Sequence, residues 1–326
     1  MLKTRVAVLR GGPSSEYEIS LQTGKTVLDN LPEEHYTPYD IFIDRSGIWH
    51  RSGLPKEPIE ALKDMDVVFN ALHGTYGEDG KLQTILDQIA MPYTGSGALS
   101  SALGMNKVLA KKHFLQNGIK TPHYKLLSIE NALPENLVEI FRTFPHPAVV
   151  KPYNSGSSLG VSVVNNFAEL QNALAKAFEY ANKVLIEEYI AGREGTIGII
   201  ENFRNKEYYP LLPIEISRQN NSVFGYDTKY NEGGVSEISP AKFTKEELEK
   251  IEKAVIEAHK AIHAKHYSRV DFILSPRRGV YILEVNTLPG LTKESLMPKS
   301  LDSIGVKISD FLHHLVSLAL KRSAVS

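Results

Sequence analysis

Two short segments near the C-terminus, Arg269-Val-Asp271-Phe and Leu283-Glu284-Val-Asn286-Thr, set polar residues into apolar runs. Successive side chains of an extended chain point to opposite faces, so Arg269 and Asp271 share one face while Val270 and Phe272 take the other. Ile282, Glu284 and Asn286 are expected to share a face in the same way. Ser275-Pro-Arg-Arg-Gly279 has the composition of a hairpin connection, which brings Asp271, Glu284 and Asn286 side by side. Two carboxylates and an amide oxygen are hard ligands that suit Mg²⁺ or Mn²⁺, with the remaining positions completed by water and substrate phosphates. The competing reading is a surface hairpin with solvated acids. Against it stand the runs Val-Asp-Phe-Ile-Leu and Tyr-Ile-Leu-Glu-Val, in which an acid needs a partner or a metal.

A second group of residues suits phosphates. Lys151 ends the apolar run Pro147-Ala-Val-Val and is followed by the glycine loop Ser155-Gly-Ser157-Ser158-Leu-Gly160. Such a loop can fold backbone N–H groups and hydroxyls over phosphates. It is not a Walker A loop, which ends in Gly-Lys-Ser/Thr and opens a helix. It does contain Gly156-x-Ser158-x-Gly160, the pattern of a hydrolase nucleophile elbow. That elbow must lead from strand into helix, and Val161-Ser-Val-Val reads as a strand. Lys107, on a helical stretch upstream, and Lys151 are candidates to meet α- and β-phosphates as point charges, against the ordinary reading of solvated lysines. Val184-Leu-Ile-Glu187-Glu-Tyr-Ile190 offers an apolar wall, a carboxylate for the exocyclic amine of adenine, and main-chain groups for the ring, with Glu194 in reach of ribose hydroxyls.

The elements that must position these groups fall into three stretches, expected as units 1–98, 99–190 and 191–326. Arg5-Val-Ala-Val-Leu-Arg10 reads as a buried strand, followed by Gly11-Gly-Pro-Ser-Ser and a helix from about Glu16 to Asn30. With strands at Tyr39–Ile43 and Val67–Leu72, this predicts a Rossmann-like parallel α/β sheet, without the G-x-G-x-x-G spacing of a dinucleotide site. The middle stretch predicts one helix from about Leu99 to Asn117 and then an antiparallel sheet with helices on one side. The third predicts strands at Thr196–Ile200 and Glu207–Pro213, a helix at Lys245–Ala264, the opening hairpin, and a closing helix near Ser309–Leu320. Between them, the polar Arg218–Pro240 section is long enough to be a lid.

Composition narrows the partners. The 326 residues carry 37 Lys+Arg against 38 Asp+Glu, a formal charge of -1, and no basic stripe, which argues against nucleic acid. No run of about 18 apolar residues spans a bilayer. The N-terminus enters a strand without a signal-peptide stretch, and there are no cysteines, so a cytoplasmic protein is expected.

The ordered set Gly11-Gly-Pro-Ser-Ser-Glu16, His73-Gly-Thr-Tyr-Gly-Glu78-Asp-Gly80, Tyr93-Thr-Gly-Ser-Gly97, Gly156-Ser-Ser-Leu-Gly160, Lys229-Tyr230, Arg269-Val-Asp271-Phe and Glu284-Val-Asn286-Thr-Leu-Pro-Gly290 resembles the D-alanine–D-alanine ligases, of ATP-grasp fold. The match runs from about residue 6 to 320. It implies ATP-dependent joining of two D-alanines for peptidoglycan, through an acyl phosphate, in a homodimer. It further implies that Glu16 and His73 hold the first substrate and that Glu16, Ser157 and Tyr230 link across a closed lid. Arg269 and the Gly290 N–H would stabilise the oxyanion, while Lys229, Ser295 and Leu296 would meet transferred phosphate or the second carboxylate. Taken singly, Glu16 reads rather as a first-turn acid complementing a helix dipole, and His73 rather as an ordinary strand-end histidine. In relatives that make D-alanyl-D-lactate the lid position tends to be histidine, so by analogy Tyr230 favours a dipeptide over that depsipeptide, while a ligase using D-lactate or D-serine as second substrate stays the alternative within the class. A non-catalytic nucleotide-binding relative is the alternative from another class. Departures from the family pattern are Asn106 before Lys107, where Asp is usual, Ser155 in place of Glu, and a lid less aromatic and acidic at Val223-Phe-Gly-Tyr226-Asp-Thr.

Overall fold

The computed structural model describes residues 2–153, 160–218 and 235–323. The first sheet is built from β1 (Thr4–Gly11), β2 (Tyr36–Ile43), β3 (Trp49–Arg51), β4 (Leu54–Lys56) and β5 (Val67–Asn70), in the order β4-β3-β2-β1-β5. β1 pairs in parallel with β2 and β5, as expected, and β3 and β4 extend the edge as an antiparallel hairpin that the residue pattern did not announce. Helices α1 (Tyr17–Asn30), α2 (Pro58–Ala61) and α3 (Lys81–Gln88) accompany these strands.

Helices α4 (Ala98–Met105) and α5 (Lys107–Gln116) lead to a four-stranded antiparallel sheet of β6 (Tyr124–Ser128), β7 (Ala148–Pro152), β8 (Ser162–Val164) and β9 (Lys183–Glu188), ordered β6-β9-β7-β8. Its helices α6 (Pro134–Thr143) and α7 (Phe167–Phe178) bury Leu137, Ile140, Leu170 and Leu174 against Ala148, Val150, Val184 and Ile186. The third sheet comprises β10 (Arg193–Phe203), β11 (Lys206–Pro210), β12 (Ile214–Arg218), β13 (Val235–Ile238), β14 (Tyr267–Ser275) and β15 (Gly279–Asn286), with helices α8 (Lys245–Ala261), α9 (Leu296–Asp302) and α10 (Ile308–Ser323). β12 and β13 are antiparallel, with Glu215 opposite Ile238, so the section expected as a lid begins and ends in paired strands. The expected lid residues Lys229 and Tyr230, like Ser155, Ser157 and Ser158 of the glycine loop, lie outside the described residues.

Packing crosses the three stretches. β1 is apolar on both faces because both are covered. Val6 and Val8 pack with Val27 of α1 and with Phe311, Leu312 and Leu315 of α10, while Ala7 and Leu9 pack with Leu82 and Leu86 of α3. The C-terminal helix therefore closes the core of the N-terminal sheet. Likewise Leu103, Ala110 and Phe114 of α4 and α5 join Val270, Phe272, Ile282 and Val285 in the core of the third sheet. No helix among the described residues is long and apolar enough to cross a membrane.

Two expectations need correction, and both bear on the site. The single helix expected over Leu99–Asn117 is broken at Asn106, which is extended (φ -96, ψ 96) and accepts a hydrogen bond from the Leu109 N–H at 3.0 Å. A short side-chain acceptor competes with the backbone and starts a new helix, so α5 opens on Lys107. In the hairpin, a β-bulge shifts the register between Asp271 and Phe272. Asp271 faces Glu284 and Arg269 faces Asn286, but Phe272 faces Ile282. Ile282 thus turns into the core instead of sharing a face with Glu284 and Asn286, because the bulged strand carries one extra residue, Leu283. Asn106→Ala should lower unfolding stability by about 1 kcal/mol in a denaturant titration, whereas Asn106→Asp, which keeps the acceptor, should leave it unchanged.

Candidate active site

The bulged hairpin presents its polar face to α5. Lys107 reaches Glu284 Oε2 at 2.7 Å with its side chain almost fully buried. Burial alone would raise the Glu284 carboxyl, but the Lys107 ammonium, followed by Lys151, holds it down to about 2. Asp271 is gripped by Arg269 at 3.1 and 3.2 Å and accepts a 2.5 Å hydrogen bond from the Thr196 hydroxyl of β10. Asn286 Oδ1 accepts the Leu288 N–H at 2.8 Å, which orients the amide and leaves the oxygen a second lone pair. Glu284 and Asn286 line a pocket with Lys107, Glu78 and Thr287.

This donor set fits a hard cation. Asp271 and Glu284 are directly opposed across the ladder, Asn286 is next on the same face, and each carboxylate is paired with a cationic side chain that a metal and phosphates could replace. Among the described residues no group of three or more His, Asp and Glu is arranged to hold a metal. A site of two acids and an amide relies on substrate oxygens to complete the shell.

One turn further along α5, Lys111 contacts a different carboxylate. Its Nζ lies 3.1 Å from Glu187 Oε1, and Lys151 Nζ of β7 lies 2.9 Å from Glu187 Oε2. Lys111 and Glu187 are buried. Burial would push Glu187 up, yet the two ammoniums hold it below the ordinary carboxylate value. Burial dominates at Lys111, pushed down to about 8 even though Glu187 opposes that shift. Lys107, Lys151 and Glu187, picked out from sequence, thus come together around one cleft, joined by Lys111. Ile190 is buried just beyond β9. Glu194 sits on β10 opposite Ile216 and Ile273.

At the C-terminal end of β1 and β5, a second cluster forms. Glu16 immediately precedes α1 and makes no side-chain cap hydrogen bond to it. A Cβ on Gly74 would lie 3.0 Å from Glu16 Oε2 and 2.3 Å from Ser14 Oγ, so the His73-Gly74 turn closes on Glu16 only because position 74 has no side chain. His73 is buried, with Nε2 2.8 Å from Thr23 Oγ1 and Nδ1 3.6 Å from Glu78 Oε1. Glu78 also accepts the Gly74 N–H at 2.8 Å. Burial, and then the charge of Glu78, push the Glu16 carboxyl above its ordinary range, with His73 and Arg269 pulling the other way. A raised carboxyl beside a second acid suits the binding of an ammonium. Gly290 faces Ser295: a Cβ there would meet Ser295 Oγ at 2.9 Å. Ser295 shares a 2.7 Å hydrogen bond with Thr292 and precedes α9, which opens on Leu296.

Sequence reasoning assigned no site role to Lys111, Thr196, Thr23 or Glu78. Lys111 carried a readable signal, since residues four apart on a helix share a face, and it sits four after Lys107. Nothing local marks Thr196 or Thr23, whose partners are distant in the chain. Beyond the glycine loop, residues 162–164 form strand β8 on β7, so Gly156-x-Ser158-x-Gly160 does not open a helix and is not a nucleophile elbow.

Comparison with known proteins agrees with this geometry. Models of the D-ala D-ala ligase N-terminus and C-terminus match residues 5–61, 51–96 and 114–317. The chain belongs to the D-alanine–D-alanine ligase family. A D-alanine–D-alanine ligase of Geotalea uraniireducens is 38% identical over 319 residues, spanning 98% of this chain and 96% of that one. The Bacillus anthracis D-alanine–D-alanine ligase complexed with ATP superposes with a TM-score of 0.81 at 33% identity, over 100% and 99% of the two chains. The VanG D-Ala:D-Ser ligase of Enterococcus faecalis does so with a TM-score of 0.84 at 29% identity, over 98% and 100%. The ATP-grasp fold expected from sequence is thus the fold observed.

The raised Glu16 carboxyl gives a signed expectation. The folded state holds a proton on Glu16 that the unfolded chain has released, so the Glu16 charge costs stability as pH rises through that window. Glu16→Gln should therefore leave the melting temperature at pH 7 unchanged or raised while impairing turnover; a melting temperature several degrees lower would show that Glu16 holds the fold together instead.

Proposed function

We propose that this protein condenses two molecules of D-alanine into D-alanyl-D-alanine, converting ATP to ADP and phosphate, and so supplies a peptidoglycan precursor in the cytoplasm as a homodimer. Residues 1–98 would bind the first amino acid, and 99–190 and 191–326 would clamp ATP between them. The observation that carries the reading is the juxtaposition of the Asp271–Glu284–Asn286 face with Lys107 and Lys151, next to the acidic Glu16–Glu78 receptor.

The chemistry divides into two steps. The carboxylate of the first D-alanine attacks the γ-phosphorus of ATP, a P–O bond to ADP breaks, and an acyl phosphate results. The amine of the second D-alanine then loses a proton, adds to the acyl carbon, and phosphate departs from the tetrahedral intermediate. Glu16, backed by Glu78 and His73, would hold the first ammonium, so that only its carboxylate faces the nucleotide. Asp271, Glu284 and Asn286 would hold Mg²⁺ or Mn²⁺, which offsets phosphate charge when bound. Lys107 and Lys151 would leave their carboxylates for the phosphates. Arg269 and the Gly290 N–H would face the oxyanion, a role commonly worth several kcal/mol for preorganised donors. Ser295 and Leu296, together with Lys229, would seat the second carboxylate. Ser157 and Tyr230 would join Glu16 when the lid closes and excludes water, which would otherwise hydrolyse the acyl phosphate. Glu187 and the main chain near Ile190 would read adenine, Glu194 the ribose, and Ser158 the phosphates.

D-serine as second substrate is the alternative that the likeness to the D-Ala:D-Ser ligase favours. Purified protein with ATP, Mg²⁺ and D-alanine should release phosphate in proportion to dipeptide, and D-serine or D-lactate should give slower product formation. ATP binding without turnover would sink the enzyme reading. Glu284→Ala should abolish phosphate release, whereas Ser158→Ala should slow it without the complete loss that a serine nucleophile would require.

A further inference from the structure

Lys111 differs from the other two cleft lysines in having no exposed surface. It is fully buried in α5, its ammonium donates to Thr121 Oγ1 at 2.7 Å, and it lies 5.8 Å above the Tyr124 ring. Tyr124 is itself the cross-strand neighbour of Glu187 in the β6–β9 ladder. Lys151, by contrast, is partly exposed at the cleft edge. Both hold Glu187, but through different oxygens, Lys111 on Oε1 and Lys151 on Oε2. Oε1 has no hydrogen bond of good geometry within the protein despite being buried, so it retains acceptor capacity. When Lys151 turns to a phosphate, Lys111 is the cation left beside Glu187.

We propose that Lys111 is a positioning residue for nucleotide choice: it keeps Glu187 an oriented, acceptor-only carboxylate, so that the site takes a 6-aminopurine and rejects a 6-oxopurine. This rests on Glu187 being the group that reads the base. An ionised carboxylate accepts from the 6-amino group but has nothing to donate to a 6-oxo group. A buried carboxylate without its counter-ion takes up a proton, and a carboxyl can then serve either base. The penalty for the wrong base comes from two acceptors facing each other in a dry pocket.

The test compares ATP with ITP, which differ at purine position 6, by equilibrium binding with Mg²⁺ and by kcat/KM with D-alanine. Lys111→Met should raise the ITP-to-ATP preference roughly ten- to a hundredfold. Most of the change should appear in nucleotide binding. Glu187→Gln, whose amide both donates and accepts, should shift the preference the same way. The double variant Lys111→Met/Glu187→Gln should shift it no further than Glu187→Gln alone, because Lys111 acts through Glu187. An unchanged preference in Lys111→Met, where Glu187→Gln does shift it, would overturn the role of Lys111 alone. An unchanged preference in Glu187→Gln would remove the base-reading role of Glu187 and the proposal with it. If Lys111→Met does not fold, folding of the double variant supports the counter-ion role, and failure of both makes Lys111 a residue of the core only and overturns the proposal.

Discussion

Carboxylates cannot be buried without cations, and the arrangement of this cleft follows from that constraint. Glu187 of β9, Asp271 of β14 and Glu284 of β15 are drawn from two sheets, and their partners Lys107, Lys111, Lys151 and Arg269 come from α5, β7 and β14. α5 is the common support, with Lys107 serving one sheet and Lys111 the other. Removing one partner of such a pair typically costs about 3–5 kcal/mol, since the other charge is stranded. Packing reinforces the same geometry: Ala110 and Phe114 share the buried side of α5 with the two lysines and anchor the helix in the core of the third sheet.

The same lattice prepares the protein for a polyanion and a cation together. Lys107 occupies Glu284 and Arg269 occupies Asp271, so the metal ligands are compensated before any ligand arrives. On the proposed reading an Mg²⁺–nucleotide would exchange these contacts in kind, giving the cation to the carboxylates and the phosphates to the lysines, with no charge left bare. Each ligand alone would meet like charge or an occupied partner. The Glu16–Glu78 pair differs: burial and the charge of Glu78 outweigh the pull of His73 and Arg269 on Glu16, and on the proposed reading an amino-acid ammonium would offset the two acids.

How much of this was legible in the sequence depended on the range of each interaction. Alternation within Arg269-Val-Asp271-Phe correctly set polar against apolar faces, and the Ser275–Gly279 turn correctly paired the two strands. The bulge was not legible, because Leu283 is an ordinary strand residue and only the register with β14 makes it an extra one. Asn106 read as a departure from a family pattern, while the structure makes it the cap that starts α5 at Lys107. Lys111 and Lys112 look alike in sequence, yet one is fully buried and the other exposed. The spacing from Lys107 was the available clue. Packing of α10 on the N-terminal sheet joins residues some three hundred positions apart, and no local pattern encodes it.

The central claim is that metal and nucleotide bind by jointly displacing the internal lysine pairs, and calorimetric titration of Mg²⁺ tests it most directly. Linkage requires each ligand to strengthen the other equally. Mg²⁺ should bind weakly to the protein alone and at least about tenfold more tightly when ADP is saturating. Lys107→Ala should strengthen Mg²⁺ binding to the nucleotide-free protein by releasing Glu284. Tight Mg²⁺ binding without nucleotide, unaffected by Lys107→Ala, would contradict the account.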